Sequence, residues 1–190
     1  MKPAPALSQR TQYGLMGGFY SVLAAIGITV SILRGDELST VLLARPGMRT
    51  LALETGVALG VVVVLLSDGL VDRFAWTERL RREVIEMLQP MTRRKAMCLA
   101  LCSGVGEELL FRGAPQPWLG LWLTSVAFGF AHSGWQREML GWAVFAAIVG
   151  ALLGGLFLVT GGLLGPIVAH AVINGIQLWR LAVESEARCD

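Results

Sequence analysis

Residues 104–113 read GVGEELLFRG. Three ionisable side chains, Glu107, Glu108 and Arg112, stand in a stretch that otherwise reads as a membrane span. A charge at the centre of such a helix costs about 2.5–3.5 kcal/mol on insertion scales, so three facing lipid would cost roughly 8–10 kcal/mol. A helix that keeps all three has to turn them toward protein or water. The stretch therefore predicts a helix bundle with a polar interior.

The surrounding sequence supplies the bundle. Of 190 residues, 54% are hydrophobic and 16% charged, and the mean hydropathy is +0.61; soluble domains carry about a quarter charged residues. The apolar residues come in long runs. Six spans are expected, over about Gly14 to Leu33, Leu51 to Val71, Ala96 to Arg112, Trp118 to His132, Met139 to Val159 and Leu163 to Val183. A span needs roughly 20 apolar residues, so the third and fourth are short, and they carry the unusual side chains. The expected fold is all-α, a polytopic membrane helix bundle of about six transmembrane helices, forming a single domain over residues 1–190. The first run is long for a signal peptide and shows no clean small-residue cleavage site, so it reads as an anchor.

Basic residues set the orientation. Arg73, Arg79, Arg81, Arg82, Arg93, Arg94 and Lys95 crowd the Asp72 to Lys95 segment, whereas the Arg34 to Thr50 loop has Arg34, Arg45 and Arg49 beside Asp36 and Glu37. The positive-inside rule then puts the N-terminus, this segment, the Ser133 to Glu138 loop and the C-terminus in the cytoplasm. Within the segment, Leu80, Val84 and Leu88 share a helical face, with Glu78–Arg82 and Arg82–Glu86 at pairing distance elsewhere, up to Pro90. It reads as a cytoplasmic amphipathic surface helix touching headgroups. Glu54 and Asp68 lie near opposite ends of the second span and read as interfacial. Trp118, Trp122, Trp135, Trp142 and Trp179 read as interface anchors. Cys98 and Cys102 read as packing residues and Cys189 as a free thiol, with no disulfide framework. Gly150 and Gly154 have a spacing that allows close packing, here within the chain.

Glu108 and Arg112 are at i and i+4 and can pair, while Glu107 points about 100° away and has no basic partner on its own helix. The chain has two histidines. His132 stands four residues after Phe128, and His170 four before Asn174. Polar groups in spans face the bundle interior, so Glu107, Glu108, Arg112, His132, His170 and Asn174 are expected around one cavity. Glutamate and histidine can hold and deprotonate water, and histidine and asparagine can donate to an oxyanion. Together they suit amide hydrolysis. No nucleophile elbow surrounds Ser103, Cys102 or Ser133, and HExxH is absent. Straight spans, however, would leave His132 and His170 about 10 Å apart in depth.

The three clusters, Glu107-Glu108-Leu-Leu-Phe-Arg112, Phe128-Gly-Phe-Ala-His132 and His170-Ala-Val-Ile-Asn174, resemble the EExxxR, FxxxH and HxxxN motifs of the CAAX protease and bacteriocin-processing family of intramembrane proteases. The resemblance covers about Ala96 to Leu181. It implies an intramembrane endopeptidase acting on a membrane-anchored protein or peptide in the lipid bilayer, with no nucleic-acid partner, in a bacterial inner membrane. It implies Glu107 as general base with His132, Glu108 and Arg112 as its orienting pair, His170 and Asn174 at the oxyanion, and Phe128 packed nearby. No cofactor is expected on the hydrogen-bonding reading; zinc on glutamate and histidine is the alternative. The chain is shorter than the prenyl endopeptidases. Two rivals are a non-enzymatic immunity or scaffold protein on the same fold and a proton-coupled transporter, the latter without the inverted repeats such proteins show.

Overall fold

The computed structural model describes residues 8–71, 73–88, 91–133 and 139–187. Among them every regular element is helical: α1 Gln9–Arg34, α2 Leu38–Leu43, α3 Arg49–Val71, α4 Ala75–Leu88, α5 Arg93–Glu108, α6 Gln116–Ser133, α7 Leu140–Thr160 and α8 Leu164–Ala187. A π turn, Leu109–Gly113, continues α5. The all-α expectation holds. Most of the Ser133 to Glu138 loop, with Trp135, and also Asp72, Pro90 and Cys189 lie outside the described residues.

Local chemistry sets the helix ends. Ser8 accepts from the Thr11 amide at the start of α1, and Thr92 from the Lys95 amide at the start of α5, which satisfies amides that have no partner within the helix. Gly35 and Gly161 end α1 and α7 in the left-handed conformation. α6 is broken at Gly120, whose φ of 74° and ψ of 177° are not helical.

Three helices, α1, α3 over Arg49–Gly69, and α7, are long and apolar enough to cross a membrane. They are the first, second and fifth expected spans. The other three coincide with α5 and its π turn, with α6, and with α8.

Contacts give the helix directions. α1 and α5 run parallel, touching at Gln12 and Lys95, at Tyr20 and Gly106, and at Ser31 and Gly113. α3 and α8 also run parallel, from Gly56 against Val168 to Asp68 against Arg180. α8 is antiparallel to α5, where Asn174 meets Ser103 and Glu186 meets Arg93. α7 is antiparallel to α6, where Trp142 meets His132 and Gly154 meets Gln116. α8 is the central element, packing on α3, α5 and α7. Val63, Val149, Leu153, Ala169 and Ile173 form the apolar core between α3, α7 and α8.

The outside is apolar as well. Leu33, Leu65, Leu66, Leu123, Val159 and Trp122 are exposed, while Glu108 and Arg112 are fully buried. Exposed apolar side chains around buried charges are what a lipid solvent favours.

Two expectations about α4 need correcting. α4 is more than a solvated linker. Its Trp76 packs on Gly141 and against the rings of Trp142 and Phe145, docking the helix on α7. Its ion pairs are Arg79–Glu83 at 3.0 Å and Arg81 with Glu78 and with Glu184 of α8, in place of those foreseen through Arg82. Asp68, at the end of the second span, pairs with Arg180 at 2.6 Å, and both side chains are exposed.

Gly150 and Gly154 do pack within the chain. A side chain at Gly150 would stand 3.2 Å from Phe128, and one at Gly154 2.7 Å from Gln116. Their carbonyls accept from Arg112 and Gln116 at 2.8 and 2.9 Å. Cys98 and Cys102 are free thiols. Trp118 and Trp122 are exposed, consistent with anchors, but Trp142 is turned inward onto His132.

Candidate active site

The site is built on the junction between α5 and the π turn. A π turn closes i→i+5 and commonly marks a functional site. Here the backbone at its C-terminal end is capped from α1. The Ser31 hydroxyl and Arg34 Nη2 donate to the Gly113 carbonyl at 3.2 and 2.8 Å, and Arg34 Nη1 donates to the Ala114 carbonyl at 3.1 Å. Arg34 is itself held by Asp36 and lies 5.5 Å over the Trp118 ring.

Glu108 lies at the end of α5 and Arg112 one turn on. Glu108 Oε1 accepts from Arg112 Nη1 at 3.0 Å and from His170 Nδ1 at 2.7 Å. Arg112 Nη2 reaches the Gly150 carbonyl, and its guanidinium stands 4.6 Å over the Phe128 ring. Removing a partner from such a buried pair leaves an uncompensated charge, which is what makes the arrangement rigid. The expected pairing is present, but its direct contacts are with His170 and Phe128 rather than with Glu107.

Glu107 points elsewhere. Its Oε2 is 3.4 Å from His132 Nε2 and 3.9 Å from His170 Nε2, and it is buried without a hydrogen-bond partner. His132 Nδ1 lies 2.8 Å from the Phe128 carbonyl. A carbonyl only accepts, and Glu108 Oε1 is already an acceptor for Arg112, so both imidazoles place their Nδ1 hydrogen on the protein. In the neutral state both therefore turn an Nε2 lone pair toward a carboxylate oxygen. Three acceptors face one another, and the arrangement calls for hydrogen between them. A water molecule would supply two.

The depth gap expected between the histidines does not occur. Both imidazoles reach Glu107 Oε2, at 3.4 and 3.9 Å, in helices that are not all straight: a π turn follows Glu108, and α6 is broken at Gly120.

Asn174, one turn beyond His170 on α8, donates from Nδ2 to the Ser103 hydroxyl at 2.9 Å. Ser103 donates to the Ala100 carbonyl. An amide nitrogen carries two hydrogens, so one on Asn174 is left for a ligand. Ser103 is thus a support that the sequence considered only as a nucleophile.

These groups lie along one cavity of about 1050 Å³, lined by Glu107, His132, His170, Asn174 and Ser103 and walled by Leu15, Met16, Phe19, Leu99, Trp142 and Ile173. Lys95, Arg81, Arg180, Asp68, Glu83 and Glu184 line it as well. They lie toward the basic end of the bundle, Lys95 being about 18 Å along α5 from Glu107 at 1.5 Å per residue. Tyr20 of α1 also lines the cavity together with Glu107. Sequence reasoning missed it, because a tyrosine in a first span reads as apolar packing.

The donor types suit zinc, and imidazoles whose other nitrogen is held by a carboxylate or carbonyl are usual around it. Among the described residues, though, no group of three or more His, Cys, Asp or Glu side chains closes to hold an ion.

Residues 91–176 match the family of type II CAAX prenyl endopeptidases described as Rce1-like. The chain is also 33% identical over 92 residues to the uncharacterized protein YpbD of Bacillus subtilis (strain 168), an alignment covering 47% of each chain. The match thus spans about half the length of that relative. No solved structure matches. The family match takes in all three motif clusters and bears out the resemblance drawn from them.

Proposed function

We propose that this protein is an intramembrane endopeptidase that hydrolyses a peptide bond of a membrane-associated protein or peptide, using water activated by Glu107. The observation that carries the reading is Glu107 Oε2 standing 3.4 Å from His132 Nε2 and 3.9 Å from His170 Nε2 on the wall of one large cavity.

Water between them donates to Glu107 and to an imidazole, leaving an oxygen lone pair for the substrate carbonyl. Glu107 takes one proton as the C–O bond forms. The remaining Asn174 hydrogen faces the developing oxyanion. His170 Nε2 accepts from the hydroxyl that water leaves on the carbon and takes its proton as the carboxylate product forms, so Asn174 is the oxyanion donor. The intermediate collapses with cleavage of the C–N bond, and the proton held by Glu107 passes to the leaving amine. Glu108 and Arg112 hold His170 and Phe128 in register throughout. The cavity extends to residues at the basic end, which on the positive-inside rule is cytoplasmic, and entry of the substrate from that side of a bacterial inner membrane is part of the proposal.

No step is routed through a metal. Cleavage is expected to continue at the same rate in the presence of a strong zinc chelator, measured on proteoliposomes; loss of activity that returns with added zinc would replace this mechanism.

The primary test compares membranes of cells carrying wild type, Glu107→Ala and His170→Ala by terminal-peptide mass spectrometry. A membrane-protein fragment seen only with wild type, at equal accumulation of all three, supports the protease. Identical terminal peptides in all three would favour the scaffold reading instead.

A further inference from the structure

The first helix lies outside residues 91–176, the stretch that matches the family, yet it reaches the candidate site. Tyr20, Gly27, Ser31 and Arg34 fall on one face of α1 at helical spacing. That face meets α5 and the π turn point by point. Tyr20 is seated against Gly106, the residue before Glu107. A side chain at Gly106 would stand 2.9 Å from the Tyr20 carbonyl oxygen and 3.1 Å from its Cβ. Gly27 lies against the Leu109 backbone, closer than any side chain would allow. Ser31 and Arg34 close the stripe on Gly113 and Ala114. The Tyr20 ring is further fixed edge-on against Phe19, with centroids 5.1 Å apart.

We propose that Tyr20 is a positioning residue for the reaction: its phenolic O–H donates to the Glu107 carboxylate and holds it turned toward His132 and His170. The inference rests on the protease reading given above. His132 and His170 offer Glu107 lone pairs, and Arg112 is engaged with Glu108 and Gly150. Tyr20 brings a hydrogen that the motif residues, in their neutral state, do not. Without it a buried carboxylate on a flexible side chain has several rotamers, and only some place Oε2 where water can be held.

The experiment uses full-length protein in proteoliposomes, with a synthetic peptide spanning the cut site found in membranes. Tyr20→Phe keeps the ring and its seat on Gly106 and removes only the hydroxyl. A hydrogen bond to a charged group leads us to expect a kcat about tenfold to a hundredfold lower, with KM within about twofold. The infrared difference between wild type and Tyr20→Phe should show a carboxylate band, and that band should vanish when the same pair is compared in a Glu107→Gln background. A Tyr20→Phe protein with wild-type kcat and no such band overturns the proposal while leaving the protease reading intact. A raised KM at unchanged kcat also overturns it, by making Tyr20 part of the substrate-binding wall. If wild type and Glu107→Gln give the same terminal peptides, the protease reading falls and the role of Tyr20 in it falls too.

Discussion

Helices α8 and α1 both reach Glu107, in different ways. α8 brings His170 and Asn174, polar side chains inside the bundle whose presence demands a partner. α1 brings mostly backbone: a glycine that lets it approach Leu109, and two side chains that cap carbonyls at the end of the π turn. On the proposed mechanism, one helix carries the reacting groups and the other sets the distances between them. The chemistry of a membrane site can therefore be announced by a few expensive residues while its geometry depends on inexpensive ones.

That division can be broken from either side. The largest effect is expected at Glu107. Glu107→Gln should lower cleavage by about 10²–10⁴-fold, the usual contribution of a general base, with the protein accumulating normally; a peptide-cleavage assay in proteoliposomes measures it. Next comes Arg112→Ala, which leaves Glu108 buried without its cation. It should destabilise the fold by about 3–5 kcal/mol, read as lost accumulation or an early thermal transition in detergent. Replacing both, as Glu108→Gln with Arg112→Met, should recover part of that stability but not the cleavage, because His170 loses its anchor. A smaller loss is expected at Ser31→Ala, where the Gly113 carbonyl keeps Arg34 but loses a donor. About 1 kcal/mol of stability and a modest fall in kcat should follow, which would show α1 acting on the site at a distance. The least effect is expected at Arg180→Ala. Its pair with Asp68 is exposed, so stability should change by less than about 1 kcal/mol, as denaturant unfolding would register. A large effect on cleavage there would move the important contacts from the floor of the cavity to its rim.

The motif half of the molecule was legible because burying charge is costly. Glu107, Glu108, Arg112 and the two histidines have to face inward; Glu107 and the histidines do line the cavity, whereas Glu108 and Arg112 are fully buried and do not. What Glu108 touches was not legible. Spacing of four residues predicts the pair with Arg112, but it says nothing of His170, sixty-two positions away. The convergence of the two histidines on Glu107 is legible from the cost of burying them, but how it is reached is not, because neither the π turn nor the non-helical Gly120 has a signature in composition. Tyr20 and Ser31 gave no signal, since a phenol or hydroxyl in a membrane helix is cheap. Arg34 was counted only as a loop charge. The apolar face of Leu80, Val84 and Leu88 and the charge pairs of α4 predict a surface helix, but they give no hint of Trp76, whose packing on α7 docks it.

The cap that α1 places at the end of the π turn has a consequence for how the chain is made. Arg34 leaves the ribosome long before the carbonyl it will bond, because Ala114 follows it by 80 residues. At bacterial and eukaryotic elongation speeds of about 5–20 residues per second, that interval is about 4–16 s. Asp36, two residues on, can neutralise the guanidinium meanwhile. The first helix thus enters the bilayer as a waiting template, and the site closes only when α5 and its π turn arrive beside it.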